Sequence, residues 1–219
     1  MSELNMTQIN KTIEHLRRHN IETCYVATKE EVVPLLKTMM KEGETVTHGG
    51  SETLKQCGVI DLLNSGAYNY LDRSKAGSPE EAAQIMRGAY NADTYLSSAN
   101  AVTEGGQLFN VDGNSNRVSA ICFGPKQVIF ICGYNKIVKD LDEAVVRLKT
   151  IASPMNTKRL GCDTYCAREG ECLAMGRDAS YMCDGCRSPQ RICCNYVITA
   201  FQRDKDRMKV ILVGEELGY

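Results

Sequence analysis

Seven of the chain's eleven cysteines lie between Cys162 and Cys194, in the pattern C-x3-C-x5-C-x10-C-x2-C-x6-C-C. A C-x2-C pair can present two thiolates to one ion, and two further cysteines from sequence-distant loops complete a four-sulfur site for zinc or for an iron–sulfur cluster. Gly161, Gly170, Gly176 and Gly185 supply sharp turns, and Pro189 stiffens the loop. This stretch is poor in apolar residues, so metal binding would supply the folding free energy it lacks. The plain alternative is a set of free thiols or adventitious disulfides. Cys24, Cys57, Cys122 and Cys132 sit in or beside regular elements and read as inert small hydrophobes.

Three further clusters could handle an anion. His48-Gly49-Gly50-Ser51-Glu52-Thr53 lies between a strand and a helix, where free amides and the Ser51 and Thr53 hydroxyls could hold a phosphate or carboxylate. Asn100-Ala101-Val102-Thr103-Glu104-Gly105-Gly106 follows a strand, so Glu104 beside a Gly-Gly turn could act as base, nucleophile or polar anchor. In Gly133-Tyr134-Asn135-Lys136, Lys136 could neutralise an anionic ligand and Asn135 hydrogen-bond it. Each has a structural alternative: a capped turn, an exposed loop carboxylate and a surface lysine. His15 and His19 have no ligand-like neighbours and are read as solvated helix residues.

The elements that must position these groups alternate between strand and helix. Met6, Ile9, Ile13 and Leu16 share one helical face, and Arg17, Arg18 and His19 follow where a helix C-terminus favours cations. Thr23–Ala27 reads as a strand, Lys29–Lys41 as a helix, Thr45–Thr47 as a strand, and a helix starts at Ser51. Ala67–Leu71 is the next strand; Ser78-Pro79-Glu80-Glu81 opens a helix to about Tyr90, and Thr94–Ser97 is a strand. The spacing then predicts a hairpin, with Leu108–Val111 and Val118–Cys122 as its arms and Asp112-Gly113-Asn114 as its turn. Gln127–Cys132 is nearly all apolar, as for a strand buried on both faces, and Asp140–Ile151 forms a helix that Ser153-Pro154-Met155-Asn156 should stop. Lys209–Gly214 returns as a strand. Such alternation predicts a parallel sheet covered by helices.

Composition narrows the function classes. With 26 Lys+Arg against 27 Asp+Glu, the 219-residue chain has a formal charge of −1, which argues against wholesale nucleic-acid binding. No apolar run approaches the ~18 residues of a membrane span. The first residues carry no export signal, so a cytoplasmic protein is expected, in a compartment where disulfides are disfavoured. A homodimer is the ordinary expectation for such a chain.

Several motifs in fixed order resemble the lactate-utilisation (LUD-domain) family, whose fold is related to ribose-5-phosphate isomerase, glucosamine-6-phosphate deaminase and CoA transferases. They are Gly49–Thr53, Asn100–Gly106, Asp112-Gly113-Asn114, Phe123–Lys126, Gly133–Val138, Pro154–Leu160 and Leu217-Gly218-Tyr219. The Cys-rich stretch resembles a segment T-P-C-A-x3-G-x-C-x2-C-x-S-P-x-R-I-C found at the end of some members. It departs by Tyr165 for Pro and by extra residues between Cys172 and Cys183. Carried over, that pattern implies Cys166, Cys186 and Cys193 as metal ligands, with Cys172 and Cys183 as alternatives for the fourth.

The resemblance implies an α/β, Rossmann-like, parallel-rich sheet of the ribose-5-phosphate isomerase and CoA-transferase type. Residues 1–160 would form that domain, 161–195 a Cys-rich metal-binding appendage, and 196–219 a strand rejoining the main domain. It further implies a component of a redox system oxidising lactate to pyruvate, alongside iron–sulfur redox partner proteins. A [4Fe–4S] cluster is then the expected cofactor and zinc the alternative. A small anionic molecule would bind through Gly49, Gly50, Ser51, Thr53, Gly105 and Asn135, with Glu104 and Lys136 in catalytic positions. The competing expectation is a free-standing sugar-phosphate isomerase or CoA-transferase-like enzyme using Glu104 as base or nucleophile.

Overall fold

A computed structural model describes residues 3–176 and 182–219. Its strands are β1 (Glu22–Val26), β2 (Thr45–His48), β3 (Asn69–Tyr70), β4 (Thr94–Ser97), β5 (Ala101–Thr103), β6 (Leu108–Asp112), β7 (Gln127–Gly133), β8 (Ile137–Val138), β9 (Asn195–Thr199) and β10 (Met208–Val213). Its α-helices are α1 (Glu3–Arg18), α2 (Val32–Met39), α3 (Glu52–Gln56), α4 (Val59–Leu63), α5 (Pro79–Gly88), α6 (Asn116–Cys122), α7 (Leu141–Arg147), α8 (Ser153–Leu160) and α9 (Tyr165–Glu169). Six strands form a sheet in the order β1-β10-β7-β4-β2-β3, with every pairing parallel. A smaller mixed sheet runs β8-β5-β6-β9.

Alternating side chains of the central strands feed two cores, because successive residues of a strand point to opposite faces. Val128, Phe130, Val210 and Leu212 pack with Ile9, Ile13 and Leu16 of α1, whereas Ile129, Ile131, Ile211 and Val213 pack with Val32, Leu36, Leu54 and Val59. The small sheet is covered the same way. Val102 and Leu108 join the α1 core, while Ala101 and Phe109 meet Ala144, Val145 and Leu148 on its other face. Among the described residues no helix is long and apolar enough to cross a membrane.

The structure departs from the sequence reading in three places. Residues 116–122 are helix α6 and not the second arm of a hairpin. The reason is Asp112, whose carboxylate accepts hydrogen bonds from the amides of Asn114 (3.1 Å), Arg117 (2.8 Å) and Val118 (3.2 Å), capping a helix start rather than a two-residue turn. Nor does the helix stop at Ser153-Pro154-Met155-Asn156. A π-helical turn over Leu148–Ala152 links α7 to α8, and Pro154 falls in the first turn of α8, where a missing N–H costs nothing. The expected strand over Ala67–Leu71 shrinks to β3.

Candidate functional site

The carboxyl ends of β2, β4 and β7 are where the elements leave room for a ligand, as in other open α/β sheets. A cavity of about 250 Å³ opens there. Its polar lining includes Gly50, Ser51, Thr53, Ser98, Asn100 and Asp112 together with the cations Arg73, Arg117, Lys136 and Arg159. Glu52 and Asp112 are the acidic groups of that wall. Asp112 is committed to capping α6, and Glu52 stands 3.5 Å from Arg159 and 3.0 Å from Lys55.

Lys136 is the chemically unusual group. It is only 3% exposed, and its Nζ donates to Thr53 Oγ1 and to Ser98 Oγ, each at 3.0 Å. No carboxylate pairs with it among the described residues. Burial pushes its ammonium down to about 8, with Arg147 and Arg117 adding to the shift and Cys132 opposing it. Arg117 is fully engaged as a strut. Its Nη1 donates to Ser98 O and Asn110 Oδ1, and its Nη2 to Asn100 Oδ1 and Val111 O. Arg159 is oriented by Tyr219 Oη at 2.6 Å and by Asn156 Oδ1 at 2.7 Å. Among the described residues, Arg73 has only Met86 Sδ, 3.7 Å from Nη1, as a side-chain hydrogen-bond partner.

The expected anion-site residues divide three ways. Gly50, Ser51, Thr53 and Lys136 line the cavity. A Cβ on Gly50 would stand 3.0 Å from Arg73 Nη2 and 4.0 Å from Arg159 Nη2, so its bare backbone lies between two guanidinium groups. Gly49 and Asn135 lie one layer behind. A Cβ on Gly49 would meet the Arg117 stem at 2.8 Å, and Asn135 Oδ1 accepts the Leu217 amide at 3.1 Å, tying down the last residues.

Glu104 and Gly105 are not brought to the cavity. Glu104 accepts from Lys11 Nζ (2.7 Å) and Gln8 Nε2 (3.0 Å) on α1, and these contacts, Lys11 foremost, hold its carboxyl below the usual range. The Glu104 carbonyl meets His15 Nδ1 at 2.6 Å, so this turn is the seat of α1. Sequence reasoning missed Arg73, Arg117 and Ser98. Arg159 and Tyr219 lay inside motifs that carried the family resemblance, which was the available signal.

Next to this cavity lies a narrow cleft of about 10 Å³ lined by Cys166, Cys172, Cys186 and Cys193, with Lys149, Asp184 and Tyr196. Leu148 and Ser153 line both spaces, and the neighbours Ile192 and Cys193 face one each. Cys172 is buried in this cleft, whereas Cys183 is exposed and absent from its lining. Arg191 braces the loop. It donates to Cys183 O (2.7 Å), Cys186 O (3.1 Å), Cys193 O (2.9 Å) and Cys193 Sγ (3.2 Å). The Cys166 thiol has the Thr157 and Thr164 hydroxyls at 3.4 Å.

The donor set suits a soft metal. Four cysteines from separate segments line this one cleft, the Lys149 and Arg191 cations can offset thiolate charge, and among the described residues the buried Tyr196 hydroxyl has no hydrogen-bond partner. Among the described residues, no three His, Cys, Asp or Glu side chains already stand as a single-ion site.

A solved structure of a bacterial protein shares this architecture over nearly the whole chain. A crystal structure of a DUF162 family protein from Deinococcus radiodurans is similar over 97% of this chain and 99% of its own, with a TM-score of 0.54 and 12% identity. The β subunit of eIF2B from Chaetomium thermophilum covers 62% of this chain and 48% of its own, at 13% identity and a TM-score of 0.37. No curated protein matches. The family described as LUD domain matches residues 9–213, which hold the cysteine cleft and all of the cavity lining but Tyr219, and the chain belongs to that lactate-utilisation-related family.

Proposed function

We propose that this protein binds a small carboxylate or phosphate compound in the cation-lined cavity and serves a redox system that oxidises lactate to pyruvate, with a Cys-ligated metal centre beside the ligand. The observation that carries this reading is the shared wall. Leu148 and Ser153 separate a pocket containing Lys136, Arg73 and Arg159 from a cleft containing four cysteines. Ligand charge would be met by Arg73 and Arg159 at the Gly50 edge and by Lys136 against Thr53 and Ser98. Cys166, Cys172, Cys186 and Cys193 would hold the metal, braced by Arg191. An iron–sulfur cluster there would supply one-electron transfer, in keeping with iron–sulfur redox partners.

A specific observation favours a second reading of the metal. The cleft has room for about one water-sized particle, closer to a zinc ion than to a cluster. Metal analysis and a visible spectrum of anaerobically prepared protein separate the two. Iron with visible absorption supports the cluster, colourless stoichiometric zinc supports the second reading, and neither metal sinks the centre. In either metal-bound case Cys172→Ser should lose the metal while Cys183→Ser keeps it. The ligand is tested by thermal shift with lactate, pyruvate, sugar phosphates and CoA. Stabilisation by none of them sinks the anion site, and stabilisation by sugar phosphate alone in a metal-free protein selects the isomerase-like alternative.

A further inference from the structure

A lysine as deeply buried as Lys136 ordinarily pairs with a carboxylate, because an unpaired ammonium is costly to desolvate. Here its partners are two hydroxyls, Thr53 Oγ1 and Ser98 Oγ. A hydroxyl can accept from an ammonium and can equally donate to the lone pair of a neutral amine, so the surroundings accommodate both protonation states. Lys136 is not the sole source of the cavity's positive charge. Arg73 and Arg159 already flank Gly50 at one wall, and Arg117 braces another. A desolvated lysine among other cations, opening on a cavity, has the surroundings of an amine nucleophile.

We propose that Lys136 forms an imine with a small anionic aldehyde or ketone whose carboxylate or phosphate is held by Arg73 and Arg159. The inference rests on the reading of this cavity as an anion site. The neutral Nζ attacks the carbonyl carbon, a C–N bond forms, and the carbonyl oxygen takes up a proton to give a carbinolamine. The C–O bond then breaks and the oxygen leaves as water, carrying the second proton from nitrogen. One water is released per adduct, and nothing is oxidised or reduced. Thr53 and Ser98, both 3.0 Å from Nζ, stand where they can pass these protons. An amine that titrates near 8 is partly neutral under physiological conditions, whereas an ordinary surface lysine is not.

The test is reductive trapping on the full chain. Protein is incubated with pyruvate, with dihydroxyacetone phosphate or with acetone, each with cyanoborohydride, and analysed by intact mass and peptide mapping. The expected result is a single adduct on the peptide carrying Lys136, with a mass gain equal to the probe acid less one oxygen atom. It should form with at least one anionic probe and not with acetone. Its yield should rise about fivefold between pH 7 and pH 8, following the neutral fraction of an amine that titrates at about 8. Lys136→Arg keeps the charge and should bind the same probe, measured by calorimetry without reductant, while forming no adduct. Binding to the wild type with no adduct at Lys136 overturns the imine and leaves the anion site standing. Adducts scattered over other lysines overturn it as well. Absence of both binding and adduct overturns the inference and the anion reading together. Peptide mapping of the wild type locates the adduct even if the variant does not fold.

Discussion

At the scale of single residues, the chemistry concentrates on groups held in states that water would not favour. Lys136 has a cost: its ammonium sits among Arg117 and Arg147, and among the described residues it donates to two hydroxyls. Lys136→Met removes that buried charge at similar volume, so the variant is expected to be as stable as the parent or more stable by roughly 1–3 kcal/mol, while an anionic ligand, still held by Arg73 and Arg159, should stabilise it less than it does the parent. Urea unfolding with and without ligand measures both effects. His48 is a second such residue. Its Nε2 meets Tyr70 Oη at 2.7 Å and its Nδ1 meets Gly49 O at 2.7 Å; burial, above all, pushes its pKa below the ordinary histidine value. In the unfolded chain His48 takes up a proton as pH falls through about 6.5, whereas in the folded chain it resists until lower pH. Its contribution to stability is therefore present above that range and lost as pH falls through it. His48→Gln should flatten the decline of melting temperature between pH 7 and pH 5; an unchanged slope would assign the decline elsewhere.

At the scale of elements, the loop after β5 shows how a motif that resembles a ligand site can serve as a joint. Gly106 has φ of +83°, and a Cβ there would stand 2.7 Å from the His15 backbone carbon in α1. His15 and Lys11 hold Glu104 from the same helix, and His19 Nδ1 meets the Gly106 carbonyl at 3.1 Å. Gly106→Ala would force α1 away from both sheets and strain the backbone, so a loss of about 2–4 kcal/mol is expected. Metal content per folded molecule should not change, because α1 does not line the cysteine cleft. Glu104→Gln should cost far less, since its partner Lys11 is half exposed. Chemical denaturation of the two variants checks the ranking. The linked helices α7 and α8 have the opposite character. Their π-helical turn supplies Leu148 and, at its end, Ser153 to the wall between the two candidate sites.

At the scale of the whole molecule, the chain closes its main sheet last. β10 inserts between β1 and β7, pairing in parallel with both, so residues 208–213 complete a sheet that began at residue 22. Val210, Ile211, Leu212 and Val213 are fully buried. A chain ending before Met208 should therefore expose the apolar flanks of β1 and β7 and show no cooperative unfolding transition, as circular dichroism on heating would reveal. The same connectivity carries the Cys-rich segment across the cavity before the chain turns back. Gly113 lets Ile192 approach, since a Cβ there would stand 3.2 Å from Ile192 Cα, and Cys194 N donates to Asp112 O at 3.1 Å.

Much of this was legible in the residues alone, because it depends on neighbours in sequence. The doubly buried β7, the Ser78 cap with Pro79 behind it, and the helix starting at Asp140 are local patterns, and each forms where its pattern lies. Lys136 and the turn from Gly50 to Thr53 stood out as candidates in the same way, from residue type at a strand end, and both line the cavity. The Asp112 turn was misread for an equally local reason: Asp-Gly-Asn suits a hairpin, and only the amides of α6 make that carboxylate a cap. Which candidates share one space was decided by tertiary structure. Glu104 belongs to α1 because the helix lies across its turn, whereas Arg73, Arg117, Arg159 and Tyr219 reach the Lys136 cavity from widely separated segments. Cys172 lines the cleft with Cys166, Cys186 and Cys193, and Cys183 stays outside, a choice that spacing left open. Spacing along a chain constrains what adjacent residues can do together. The meeting of distant side chains is set by how sheets and helices pack, and no local pattern carries that information.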